Sequence, residues 1–158
     1  MAVAAVEAAL VASLKELLGN TFVLYLRAHG AHWNVEGSLF PSLHDYFGDF
    51  AADVYSSIDV IAESLRQHYT YAPSTLSHLA NLATIPDAQL NFESGALGHV
   101  LLADLRDTNT ALRVSLDKAY RLAEQAGDLG LANFLQDRMS AHLKHDWQLR
   151  VQTEWPKL

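Results

Sequence analysis

Two histidines and two carboxylates carry the clearest chemical signal in this chain: His32, within the stretch His32-Trp33-Asn34-Val35-Glu36-Gly37, then His44, Asp59 and Glu63. Imidazole nitrogens and carboxylate oxygens together suit iron, zinc or manganese. The 158 residues contain no cysteine. A thiolate site, a disulfide framework and a cysteine nucleophile are therefore excluded, and any transition metal must be held by His, Asp and Glu.

Spacing limits how these four can meet. A helix turns about 100° and rises about 1.5 Å per residue, so Asp59 and Glu63 lie one turn apart on one face, able to share or bridge metals. His44 and Asp59 are fifteen positions apart, roughly 22 Å along a single helix. Ligands of this kind sit about 2.0–2.2 Å from their metal, so the two cannot reach one ion within a subunit. Two copies packed antiparallel about a two-fold axis would bring His44 of one chain beside Asp59 and Glu63 of the other. The same spacing leaves open two unrelated pairs. Each residue also has a plainer reading, His32 as a half-buried satisfied side chain and the two acids as a solvated face. Both acids nevertheless fall close to the stripe Ile58, Ile61 and Leu65, where a carboxylate needs a partner or a metal.

The elements that would position them are long helices. Only four prolines interrupt the chain, at Pro41, Pro73, Pro86 and Pro156. Leu10, Leu14, Leu17, Leu18, Phe22 and Leu26 recur at steps of three and four, predicting a helix over about 4–35 that Gly37 ends. Leu43, Phe47, Phe50, Val54, Ile58, Ile61 and Leu65 form a second stripe of the same period. After Tyr69 the pattern breaks, and Pro73-Ser74 opens a short helix through Leu82, with Ser74 as its N-cap and Pro86 closing the segment. A third long helix is expected from about Phe92 to Ala126, stopping at Gly127, and a fourth from about Leu129 to Thr153. The expected architecture is one all-α domain over residues 1–158, a four-helix bundle with a short helix in the crossover between helices 2 and 3.

Composition narrows the function classes. The net charge of −7 and the lack of a lysine-rich arm disfavour DNA, whose binding needs basic side chains that release counterions. No run of about 18 uncharged apolar residues predicts a membrane span. The apolar N-terminus lacks a basic n-region and is interrupted by Glu7, so it reads as the first turns of a helix. The absence of cysteine fits a cytoplasmic setting.

Taken together, His32-Trp33-Asn34-Val35-x-Gly37, Leu43-His44 and Asp59-x-x-Ala62-Glu63 resemble the signature of the Dps mini-ferritins, with matching helix layout over nearly the whole chain. The resemblance implies a ferritin-like bundle and a dodecameric homo-oligomeric cage. It also implies ferroxidase centres at two-fold interfaces, where Fe(II) is oxidised by H2O2 or O2 before ferric mineral forms inside. His32 and His44 of one subunit, with Asp59 and Glu63 of its mate, would be the catalytic ligands. Trp33 would border the site, as a radical quencher or simply in packing. The rival class is a non-enzymatic shell that sequesters metal without oxidising it or condenses DNA.

One position departs from the family pattern, which places a carboxylate four residues after the second histidine. Here that residue is Gly48. Asp49 and Asp45 lie about 140° and 100° around the helix from His44 and are poor substitutes. Glycine within a helix costs roughly 1 kcal/mol relative to alanine, so a neighbouring group that needs the space would account for it. Among the eight histidines, His78 on the crossover is the favoured replacement ligand, ahead of His29 or a water molecule. A neutral imidazole in that place would shift preference toward zinc. A second departure is Asn133, where the family has an acidic residue near its pore. Asp128 and Asp137 remain nearby to attract cations. His99, His142 and His145 read as surface or interface residues.

Overall fold

Wherever apolar residues recur at steps of three and four without an intervening proline, the chain is helical. The computed structural model describes residues 3–90, 92–93 and 95–153. Among them run α1 Val3–Asn34, α2 Phe40–Ser56, α3 Ile58–Gln67, α4 Leu76–Leu82, α5 Gly98–Ala126 and α6 Leu129–Thr153. α2 and α3 form one rod, so four long rods and the short α4 make the expected all-α, ferritin-like four-helix bundle. Their common core includes Leu10, Leu14, Leu17, Phe47, Phe50, Leu65, Leu105, Leu112 and Leu135, all at most 1% exposed.

The second rod was expected to be unbroken, yet it is interrupted at Ser57. The Ser57 hydroxyl donates to the Val54 carbonyl at 2.7 Å and its backbone N–H reaches the same carbonyl at 3.2 Å, while Ser56 Oγ donates to Asp53 O at 2.6 Å. Serine hydroxyls that compete for carbonyls in this way tighten and bend a helix. Ser57 keeps right-handed helical angles, so the apolar stripe stays on one side of the break.

α1 is long and apolar enough to cross a membrane by length and composition alone. Its apolar side is instead taken up by the bundle. Leu26, read as part of the first stripe, is 47% exposed, because beyond Asn20 the buried side passes to Val23, Leu24, Ala28 and Ala31.

Two boundaries also differ from expectation. α4 is capped by Thr75 rather than Ser74, Thr75 Oγ1 accepting from the His78 backbone N–H at 3.2 Å. α5 begins at Gly98 rather than near Phe92. The approach to α5 is held to the α1–α2 turn by Glu36, whose N–H donates to Ala96 O at 3.0 Å and whose Oε2 accepts from Ala96 N–H at 3.3 Å. α4 lies directly on α1 at Gly19, where an added Cβ would stand 2.6 Å from Leu79 O and 2.9 Å from Ala83 N. Backbone atoms cannot yield as a side chain can.

His142 and His145 are buried, not surface residues. They belong to a polar network joining α2, α5 and α6. His142 Nδ1–H donates to Asn109 Oδ1 at 2.7 Å and Asn109 Nδ2 returns a bond to His142 O at 3.0 Å. Asp53 accepts from His145 Nε2 at 2.7 Å and from both Arg138 amino nitrogens at 3.1 and 2.8 Å. The hydrogen bond from His145, aided by Arg138, holds the Asp53 carboxyl well below the usual carboxylate range. Asp53 therefore contributes its stability above the ordinary carboxylate pKa and loses it only in strong acid.

Burial, then Arg138, pushes His142 down to about 3 from 6.5. The native state keeps this ring neutral while the unfolded chain takes up a proton, so stability is full above 6.5 and falls as pH drops toward 3. The slope from this residue reaches up to about 1.4 kcal/mol per pH unit. Urea unfolding between pH 7 and 4 should show this loss, and His142→Gln should flatten it. An equal slope in the variant would place the acid sensitivity elsewhere.

Candidate metal centre

The turn at 35–39 sends α2 back along α1, so that His32 in the last turn of α1 meets His44 near the start of α2. Each ring is anchored by the other's backbone. His32 Nδ1–H donates to His44 O at 2.7 Å, and His44 Nδ1–H donates to His32 O at 2.8 Å. The rings stack with centroids 3.8 Å apart and an interplanar angle of 22°. Because a carbonyl oxygen only accepts, both hydrogens must sit on Nδ1, which leaves both Nε2 atoms with bare lone pairs. This is how metal-binding histidines are oriented before a metal arrives. Phe40 stacks on His44 at 4.9 Å and supports the pair.

The side chain packed against Gly48 is His32 itself. A Cβ at position 48 would stand 3.0 Å from His32 Nδ1 and 3.1 Å from Cε1. Where the family pattern has a carboxylate, this chain leaves room beside the imidazole. Gly48→Ala should gain about 1 kcal/mol of helix propensity while displacing the His32 ring. Zn(II) titration is expected to show weakened binding with no loss of unfolding free energy, whereas unchanged affinity would mean that the ring tolerates the shift.

Asp59 and Glu63 occur where expected, one turn apart on α3. They are exposed, without a hydrogen bond or ion pair among the described residues, so their nearness to the apolar stripe does not bury them. Phe40, His44, Gly48, Tyr55 and Asp59 recur along one side of the α2–α3 rod. Among the described residues no three His, Asp or Glu side chains of one chain come together as a metal cage.

His78 is exposed on α4. Since α4 lies at Gly19, thirteen positions from His32, His78 is separated from the histidine pair of its own chain by roughly 20 Å along α1. His29 is next to His32, with ring centroids 5.6 Å apart, but its Nδ1 is bonded to the Tyr25 hydroxyl at 3.0 Å. His68 lies far from the pair, between Glu7 at 2.6 Å and Asp128 at 3.2 Å. Asp128 is committed twice, since its Oδ1 also accepts from Leu131 N–H at 2.9 Å at the start of α6. Asp137, Asn133 and His99 are exposed.

Four long rods with a short helix in the crossover are the architecture of a ferritin-like protein, and the ferritin-like domain profile matches residues 11–155. The chain is 30% identical over 139 residues to the DNA protection during starvation protein of Brevibacillus brevis, covering 87% of this chain and 90% of that one. Among solved structures, Dps from Thermosynechococcus elongatus is similar with a TM-score of 0.91 at 21% identity, covering 99% of this chain and 98% of that one. Dps from Vibrio cholerae O1, described as a member of the ferritin-like diiron-carboxylate superfamily, gives a TM-score of 0.85 at 25% identity, covering 94% and 91%. The chain belongs to the Dps family. Iron storage and protection against oxidative damage are the work of that family.

Proposed function

We propose that this chain assembles into a closed dodecameric cage in the cytoplasm and oxidises Fe(II) with hydrogen peroxide or dioxygen at its two-fold interfaces, storing the ferric product as mineral inside. The observation that carries this reading is the reciprocal anchoring of His32 and His44. It leaves two bare nitrogens on a pair of stacked rings, too few to complete a coordination sphere. Asp59 and Glu63 of a second subunit would supply the remaining ligands. Their two negative charges attract Fe(III) more strongly than Fe(II), by Coulomb's law, and so favour the oxidised product. Zn(II) suits the same mixed nitrogen and oxygen set. His78 would join from α4, which like α3 packs against α1. Metal titration of His78→Ala with unchanged occupancy would count against that ligand.

A second copy also gives the exposed apolar side chains beside the site something to cover: Trp33, Leu39 and Tyr55 are 61%, 63% and 57% exposed. Subunit complementation tests the arrangement directly. His44→Ala and Asp59→Asn chains should each be inactive alone. Mixed and reassembled, they should recover roughly a quarter of the sites, since half of random dimers are mixed and each of those holds one intact site. No recovery would mean that the ligands come from a single chain. Oxygen or peroxide consumption on adding Fe(II) separates a ferroxidase from a cage that only sequesters metal. With a net charge of −7, no gel shift with DNA is expected even at low salt.

A further inference from the structure

Beside the histidine pair, α1 carries a hydrogen bond between the side chains of Tyr25 and His29. Tyr25 and His29 are one turn apart, with the Tyr25 hydroxyl 3.0 Å from His29 Nδ1. In the tautomer that holds its hydrogen on Nε2, His29 accepts the phenolic O–H. From there a run of rings leads to the candidate centre: Tyr25 to His29 at 5.4 Å, His29 to His32 at 5.6 Å, and His32 to His44 at 3.8 Å. Trp33 touches His29 at 4.6 Å and Tyr55 touches Tyr25 at 5.1 Å. Among these oxidisable side chains, Tyr25 has a base placed to take its proton, whereas no hydrogen bond from the Trp33 indole occurs among the described residues.

Reduction of hydrogen peroxide to water consumes two electrons, and one Fe(II) supplies one. A phenol releases an electron readily only when its proton leaves as well, because the phenol radical cation is strongly acidic. An imidazole nitrogen already hydrogen-bonded to the hydroxyl receives that proton without rearrangement. We propose that Tyr25 supplies the second electron when a site holds a single Fe(II), its proton passing to His29 Nδ1. This rests on the Fe(II)-oxidation reading given above.

The step balances. One Fe(II), one peroxide, one neutral Tyr25 and one proton from solvent give one Fe(III), one neutral tyrosyl radical and two waters. The peroxide O–O bond breaks, iron and phenol are each oxidised by one electron, and His29 returns the phenolic proton to the medium. The reaction would keep the second oxidising equivalent on the protein instead of releasing it as hydroxyl radical.

The test uses the assembled full-length chain, loaded without oxygen with substoichiometric Fe(II), mixed with hydrogen peroxide and frozen rapidly for electron paramagnetic resonance. The expected result is a tyrosyl radical whose spectrum narrows when the protein carries ring-deuterated tyrosine. The signal should be lost in Tyr25→Phe, reduced in His29→Gln and retained in Tyr55→Phe. Trapped hydroxyl radical should rise in Tyr25→Phe, while Zn(II) binding, read separately, stays unchanged. A tyrosyl signal that survives in Tyr25→Phe, a tryptophanyl radical instead, or normal Fe(III) formation with no protein radical would overturn the proposal. Absence of Fe(III) formation, seen by its absorbance, would overturn the ferroxidase reading along with it.

Discussion

Asn20→Leu is expected to lower the unfolding free energy by about 3–5 kcal/mol, measured by urea denaturation. Asn20 is fully buried in the middle of α1 and uses all of its hydrogen-bonding capacity. Its Nδ2 donates to Thr84 Oγ1 at 3.0 Å and to Ser115 Oγ at 2.7 Å, while its Oδ1 accepts from the backbone N–H groups of Thr84 at 2.8 Å and Ile85 at 3.0 Å. Leucine matches the volume and satisfies none of these. Ser115 can still turn to Glu16, which it already approaches at 3.4 Å. The two backbone N–H groups have no such alternative, and each orphaned donor costs about 1–3 kcal/mol. The loss should be concentrated where the crossover returns from α4 to α5. Hydrogen exchange at residues 84 and 85 should accelerate more than in the core of α5. A loss below about 1 kcal/mol would show that the close approach of α4 at Gly19, and not Asn20, holds the crossover in place.

His44→Ala is expected to weaken Zn(II) binding by at least about 100-fold, since changing only an outer-shell partner of a metal ligand costs about 10–100-fold. Zinc is the useful probe because it separates binding from oxidation. The reciprocal geometry makes the variant interpretable. His32 is anchored on the backbone carbonyl of residue 44, which alanine retains, so the change removes one ligand and leaves the other oriented. Asp59→Asn provides the comparison. This exposed carboxylate has no hydrogen bond or ion pair among the described residues, so its removal should change stability by no more than about 0.5 kcal/mol while still costing metal affinity in the assembled protein. Unaltered Zn(II) affinity in both variants would place the metal elsewhere.

The long helices were legible because burial imposes a period on the sequence. Leu43, Phe47, Phe50, Val54, Ile61 and Leu65 are apolar at helical steps, and they are buried in the structure. The ends of elements were less legible, because they are decided by single hydrogen bonds. Thr75 rather than Ser74 caps α4, and the tether from Glu36 to Ala96 holds the chain ahead of α5, which starts at Gly98. The partly buried Asp53–Arg138–His145 network left no mark in the sequence, since three polar residues separated by as many as 92 positions have no local pattern. From the sequence alone His142 and His145 read as surface or interface residues; both are buried.

The residue types and their intervals were enough to establish an all-helical bundle, to exclude thiolate chemistry, and to make a site from one chain's His44 and Asp59 impossible on length alone. All of this follows from helical rise and ligand reach, which are local properties. The chain's path through space decided what those intervals could not: that His32 and His44 anchor each other through backbone carbonyls, with both Nδ1 atoms occupied and both Nε2 atoms free. It also explained Gly48, an anomaly within its own helix, as room for a ring that arrives from α1. The physical reason is the range of the interactions. Periodicity is written between neighbours along the chain, whereas close packing and hydrogen-bond direction are set between elements that meet only after folding.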